Sequence, residues 1–258
     1  MAARAIWKGV LIIGKQTVPV KLYSAVSDRS VHFRLLHRKD KAPVRQRLVN
    51  AETGGTVPRE QVLSAYPFED GSLVMFDNEE LEALQPKDGR DVDLLAFLPL
   101  GAIDHRWYDR PYYLGPDGDE EALNALTAAL DQDHREGLAS WVMRGKAYLG
   151  ALRLHQGQPL LMTLRAREEV IPIDELSAPQ GSQLDNKELD MACRLIEMME
   201  GDFQPDQYHD EYRQRVLDLV ATKQRGGRVK KTRARRRRGS SDLSKALQAS
   251  LARESKNG

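Results

Sequence analysis

The chain has 258 residues, 41% of them hydrophobic, 30% charged and only 6% aromatic. That is enough for one mainly aliphatic core with appendages, and no run approaches the roughly 18 apolar residues of a membrane span. Met1 to Gly9 lack the apolar run and small-residue cleavage site of a signal peptide. The lone Cys193 excludes an intrachain disulfide, which fits a reducing cytoplasm. The net charge of +1 hides an asymmetry. Residues 223–258 hold 13 Lys/Arg against Asp242 and Glu254, so the tail carries +11 and the rest of the chain −10. A basic tail on an acidic body points to a polyanionic partner, with a solvated tail as the plain alternative.

The first 115 or so residues read as short strands between turns. Trp7–Ile13 is an apolar run stopped by Gly14. Val18–Tyr23 is β-branched and aromatic, with Pro19 marking a strand start or edge. Ser30–Leu36 is a further strand with poorer alternation. Arg45–Val49 and Thr56–Val57 flank Glu52-Thr53-Gly54-Gly55, a hairpin turn whose glycines accept positive φ at low cost. Leu73–Phe76, Val92–Phe97 and Arg106–Leu114 continue the pattern, that of an antiparallel barrel or sandwich.

Glu120–Asp131 is helical, with acidic residues in its first turn and Leu123, Leu126 and Leu130 as an apolar stripe. Trp141–Arg144, Lys146–His155 and Pro159–Arg165 return to strand character. Residues 174–186 form a linker. Leu189, Ala192, Cys193, Ile196 and Met199 then recur at helical spacing, and Tyr208, Tyr212, Val216 and Leu219 mark a second helix. The pair is either ordinary core, with Cys193 a packing residue, or a dimer interface. A short terminal helix carries Leu243, Ala246, Leu247 and Leu251. Alone in water such a helix is marginal.

No catalytic motif is present: no GxSxG, P-loop, HExxH or GxGxxG. The six histidines lack metal-ligand spacing, so neither metal nor cofactor is expected. The basic residues carry more information. Arg29, Arg34, His37, Arg38, Lys39, Lys41, Arg45 and Arg47 crowd one stretch in which Asp40 is the single acidic interruption, and Arg144 and Lys146 bracket Gly145 between two strands. Positive side chains that track phosphates give affinity without sequence information. Aromatic interleaving is poor, which argues against single-strand stacking platforms, and no helix-turn-helix stands out. Duplex binding through the backbone is the remaining nucleic-acid reading. Two rivals stay open: an end-processing nuclease or lyase using one lysine or carboxylate, and a duplex-RNA-binding accessory protein.

Arg4-Ala5-Ile6-Trp7-Lys8-Gly9 followed by Val18-Pro19-Val20-Lys21-Leu22-Tyr23 resembles the opening of bacterial Ku proteins. His32-Phe33-Arg34-Leu35-Leu36-His37 through Asp40 does so too. Glu188 to Ala192, with Phe203, Pro205, Tyr208, Asp210, Tyr212 and Lys223, resembles the family's C-terminal helical region. The resemblance implies a mixed α+β, β-rich fold: a Ku-type β-barrel core with a C-terminal helical arm, dimerising into a ring. It divides the chain into a core with a DNA-encircling bridge (1–185), a helical arm (186–222) and a basic tail (223–258). The implied activity is sequence-independent binding of double-stranded DNA ends by a cytoplasmic, nucleoid-associated homodimer. That homodimer recruits the ATP-dependent ligase D for non-homologous end joining, with no enzymatic step, membrane or small-molecule substrate of its own.

The expected DNA contacts are Lys15, Arg34, Arg38, Lys39, Lys41, Arg45, Arg47, Arg144 and Lys146 in the core. In the tail they are Lys230, Lys231, Arg233, Arg235, Arg236, Arg237 and Arg238. Val49 and Glu52 stand where some relatives carry a cysteine pair, so the resemblance implies no zinc there.

Overall fold

The computed structural model describes residues 4–173, 185–226 and 248. They divide into two compact units: residues 4–29 with 34–173, and residues 30–33 with 185–226. In the first unit, β1 (Trp7–Ile13), β2 (Gln16–Ser24), β5 (Asp91–Pro99), β6 (Tyr108–Pro116), β7 (Arg135–Met143), β8 (Lys146–His155) and β9 (Gln158–Leu164) close into a barrel. Their order is β1-β2-β6-β9-β8-β7-β5. Every neighbouring pair is antiparallel except β1 and β5, which run parallel through Val10–Asp91, Leu11–Val92 and Ile12–Asp93. That one pairing closes the barrel and leaves it no free edge.

Alternation along the strands fills the interior. Leu11, Val20, Leu22, Val92, Ala139, Leu152 and Leu161 are inaccessible to solvent, and Trp141 and Tyr112 nearly so. Trp141 lies over Gly150, where a Cβ would come within 2.5 Å of the indole ring, so only glycine fits beneath it. The connection from β6 to β7 contains α2 (Glu120–Gln132), started by Asp119, whose carboxylate accepts from the Ala122 N–H. The helix touches β2, β6, β7 and β8, and drops Leu123 and Leu130 into the core. It therefore covers the mouth that also holds the β1–β2 turn.

Residues 25–90 leave the barrel after β2 and return at β5. Not one of these 66 residues is buried. Within the excursion lie a two-stranded hairpin, β3 (Ser64–Pro67) with β4 (Leu73–Phe76), and the short helix α1 (Asn78–Ala83), whose Glu80 carboxylate accepts from the Asp77 N–H. The second unit holds α3 (Asn186–Met198) and α4 (Glu211–Gln224), both N-capped by aspartate.

Most strands and all three long helices agree with the sequence reading, with five corrections. Arg45–Val49 and Thr56–Val57 are not strands and meet only in an isolated bridge between Val49 and Thr56. Ser30–Leu36 is not a strand; its only sheet contact is an isolated bridge from Leu36 to Pro43. β7 begins at Arg135, six residues before the expected start, because Gly137, Ala139 and Ser140 hide a strand that barrel pairing enforces. β3 and α1 were not anticipated. Cys193 does not pack in a core: it is exposed, and α3 contributes no buried residue. Leu243, Ala246, Leu247 and Leu251 of the expected terminal helix lie outside the described residues, as does most of the linker.

One charged group is enclosed with the apolar core. Glu136 has no solvent access; its Oε2 accepts from Arg153 Nε at 2.9 Å and from the Tyr108 hydroxyl at 2.9 Å. The Arg153 guanidinium also sits 5.0 Å from the Tyr108 ring centroid. The group ties β7 and β8 to the start of β6. Burial and the bond to Glu136 push the Tyr108 phenol up to about 12. Its neutral form is the folded form, so the contribution is intact below the ordinary value of 10 and is lost as pH rises towards 12. Urea unfolding should find Arg153→Met costing about 3–5 kcal/mol, because it strands an enclosed carboxylate. Glu136→Gln should cost less, since the guanidinium is partly exposed and regains water. Between pH 10 and 12 the native chain should lose stability faster than Tyr108→Phe.

Candidate nucleic-acid interface

The basic stretch folds as two consecutive hairpin turns. In the first, the Val44 N–H donates to Leu35 O (3.1 Å), the His37 N–H to Ala42 O (2.8 Å) and the Lys41 N–H to His37 O (2.9 Å). Arg38, Lys39, Asp40 and Lys41 therefore form the tip. Asp40 is engaged within the turn: its carboxylate accepts from the Ala42 N–H (3.0 Å) and from His37 Nδ1 (2.8 Å), and these two bonds hold it below the usual carboxylate range. Lys41 Nζ donates to the Arg38 carbonyl (2.7 Å). In the second turn Val49 and Thr56 form a bridge, and Asn50 Oδ1 accepts from Glu52 and Thr53 N–H groups. Gly54 takes φ +68°, while Gly55 does not need the left-handed region. Arg45 and Arg47 lie exposed between the two turns.

The charged partners separate two classes of cation. Several on the barrel are neutralised: Lys8 and Lys21 both pair with Asp117 (3.0 and 2.8 Å), Arg106 with Asp104, Arg165 with Asp109 and Arg153 with Glu136. Among the described residues, Arg34, Arg38, Lys39, Lys41, Arg45, Arg47, Lys15, Arg144 and Lys146 make no such pair. Residues 29–47 hold seven Lys/Arg against Asp40, whereas residues 48–90 hold three against nine Asp/Glu. The excursion thus has a basic first half and an acidic second half. Such a division concentrates attraction for a polyanion on one part of its surface.

The strand directions sort the expected residues by place. β1 and β5 are parallel, so β2 ends at the same end of the barrel at which β5 begins. Both feet of the excursion stand there. The β7–β8 turn is at that end too, with Arg144 (φ +54°) and Gly145 (φ +70°) forming a two-residue left-handed turn. The Gly145 N–H donates to Asp88 Oδ1 at 2.9 Å, which fastens the returning foot to this turn. Lys15 is in the β1–β2 turn at the opposite end. The barrel therefore gathers Arg144, Lys146 and the feet of the excursion, and leaves Lys15 apart. Lys230, Lys231, Arg233 and Arg235 to Arg238 lie outside the described residues.

Sequence reading missed Arg110 and Arg167, which the starts and ends of β6 and β9 bring close to Lys146 around one cavity. Separated from one another by 21 to 57 positions in sequence, they gave no run to notice. Among the described residues no group of three His, Cys, Asp or Glu is placed to hold a metal ion, and no helix is long and apolar enough to cross a membrane.

The model of the Ku70/Ku80 beta-barrel domain family matches residues 12–191. The chain belongs to the Ku family. It is 34% identical over 253 residues to a non-homologous end joining protein Ku 2 of Geotalea uraniireducens, covering 97% of this chain and 98% of that one. It is 34% identical to the Ku of Coxiella burnetii (89% and 85% covered) and 32% identical to that of Mycobacterium tuberculosis (88% and 85%). The seven-stranded closed barrel is the Ku fold, and the mixed α+β, β-rich class expected from sequence holds.

The unpaired tip cations contribute little to folding, since exposed substitutions away from special features stay within about 0.5 kcal/mol. Replacing Arg38, Lys39 and the neighbouring Arg45 by serine in this Ku should leave the urea midpoint almost unchanged. The log–log salt slope for duplex DNA should become shallower by up to about 2.7, at 0.9 per phosphate contact.

Proposed function

We propose that this Ku protein binds double-stranded DNA ends without reading their sequence and acts in non-homologous end joining. The observation that carries the proposal is the excursion without a buried residue, with both feet at one barrel end and, among the described residues, no ion pair for its cations from Arg34 to Arg47. A loop of that form encloses a rod-shaped ligand from one side, and its charges meet phosphates rather than bases. The relatives named above are end-joining proteins, in line with this reading.

The finer reading is a homodimeric ring. Phe33, Leu35, Tyr66, Phe68, Leu73, Met75 and Leu84 are each more than half exposed in the excursion, as are Ile196, Met199, Phe203, Tyr208 and Tyr212 in the second unit. Apolar surface on this scale is what a partner subunit covers. Two excursions brought together complete a channel with Arg34 to Arg47 facing the duplex and Arg144 and Lys146 at its base. Residues 1–185 form the ring-building core, and residues 186–222 the helical arm that contributes to dimer contacts. The +11 tail (223–258) adds contacts to flanking DNA through Lys230 to Arg238. The same C-terminal region recruits the ATP-dependent ligase D. The protein has no catalytic step of its own, and it works in the cytoplasm on nucleoid DNA.

Threading requires a free end. Linear duplex should compete with a labelled linear probe at least tenfold better than closed circular duplex of the same sequence; equal competition by the circle removes the ring. Truncation after residue 222 should weaken binding and flatten its salt dependence, and an unchanged slope would mean that the tail meets something other than phosphate.

A further inference from the structure

The barrel end that carries the excursion also holds a cavity of about 850 Å³. Three consecutive strands build it: the start of β6, the end of β9 and the start of β8, closed by the residues that follow β9. Its size lies within the roughly 300–1,000 Å³ of small-ligand sites and suits one or two nucleotides. Its walls combine two chemistries. Trp107 and Tyr148 offer half-buried aromatic surface, and Arg110, Lys146 and Arg167 offer positive charge.

The carboxylates at the cavity are already engaged. Asp109 accepts from Arg165 Nη1 at 3.0 Å and from the Thr163 hydroxyl at 3.4 Å, and Glu169 accepts from the Ala166 N–H at 2.7 Å. Arg110 and Lys146 have no ion-pair partner among the described residues. The cavity is therefore set for an anion. The aromatic side is rigid: Tyr148 stacks on Trp141 with centroids 5.4 Å apart and planes at 16°, and the Trp107 carbonyl is held by the Arg165 N–H at 2.8 Å.

We propose that this cavity receives the unpaired terminal nucleotide of a DNA overhang, its base against Trp107 and Tyr148 and its phosphate on Arg110 and Lys146. The inference rests on the reading of the protein as a DNA-end binder. A nucleotide uses both halves of the site, since any base has a face to stack and its phosphate needs a cation. An acidic peptide would use the cations and leave the aromatic wall without a role. Position agrees: Lys146 belongs to the turn at the base of the proposed channel, so a strand leaving the duplex reaches the cavity without crossing the barrel. The basic segments read poor in aromatics along the chain; folding brings Trp107 beside Lys146 from 39 positions away.

The test uses the full chain and duplexes with one accessible end, either blunt or carrying a two-nucleotide overhang that finishes in 2-aminopurine. Overhang ends should bind about five- to tenfold more tightly than blunt ends, in line with the usual strength of one base–aromatic stack, and the 2-aminopurine emission should be quenched. Trp107→Leu should abolish both the preference and the quenching, while blunt-end affinity stays within about twofold. Arg110→Ser, an exposed change with little risk to folding, should reduce the preference as well. Equal affinities with unquenched emission, alongside intact blunt-end binding, overturn the cavity assignment and leave end binding standing. Loss of blunt-end binding by the native chain means instead that the underlying reading has failed. Displacement of the quenched nucleotide by DNA mononucleotides but not by an oligoglutamate peptide supports the assignment; displacement by the peptide at equal concentration overturns it.

Discussion

The parallel pairing of β1 with β5 is the constraint on which the rest of this structure depends. Only three residue pairs make it, Val10–Asp91, Leu11–Val92 and Ile12–Asp93. With it the sheet is a barrel; without it β1 and β5 would be open edges. Because these two strands run the same way and β2 runs back from β1, the chain must leave and re-enter the barrel at one end. A 66-residue excursion with no buried residue is thereby held at both feet, its return fixed by the Asp88–Gly145 bond. Such a segment has almost no core of its own, and an isolated two-stranded hairpin such as β3–β4 is marginal in water. Its stability is borrowed from the barrel and, in the proposed ring, from a second copy.

Charge follows the same division. On the barrel, several cations serve the fold: Asp117 takes two lysines, and the enclosed Glu136 takes Arg153. Along residues 34–47 the cations have no acidic partners among the described residues, and even the one carboxylate in their midst, Asp40, is occupied by the backbone of Ala42 and by His37. Leaving like charges crowded and unpaired works against the isolated protein. Their attraction is released only when a polyanion arrives, and with it the counterions of that polyanion. The acidic residues between 48 and 90 keep the same attraction from spreading over the whole excursion.

Much of this was legible in the sequence, for reasons that are local. A strand that alternates between a packed interior and the outer face, such as β2, shows a period of two, β1 shows as an apolar run stopped by Gly14, and α2 shows its Leu123–Leu126–Leu130 stripe with an aspartate cap. The opening and C-terminal helical segments carried the family resemblance over most of the chain. What was not legible depends on contacts distant in sequence. Ser30–Leu36 has strand composition but meets no strand along its length. Gly137 and Ala139 have poor strand composition but lie between β5 and β8 and pair with both. Cys193 looked like a core residue because α3 has an apolar stripe, yet among the described residues none of α3 is buried and Cys193 is exposed. Lys15 and Arg144 looked equivalent as basic turns until strand direction set them at opposite ends, and Arg110 and Arg167 became neighbours of Lys146 only through the β6–β9–β8 order.

The central claim is topological: the protein encircles DNA after entering at an end. It is tested most directly by loading the protein on linear duplex with cohesive ends, ligating the DNA into circles, and raising the salt to 1 M, where phosphate contacts are largely screened. The account predicts that protein on circularised DNA stays bound until a restriction enzyme reopens the circle, while protein on unligated DNA dissociates at once. Equal dissociation from both would contradict it.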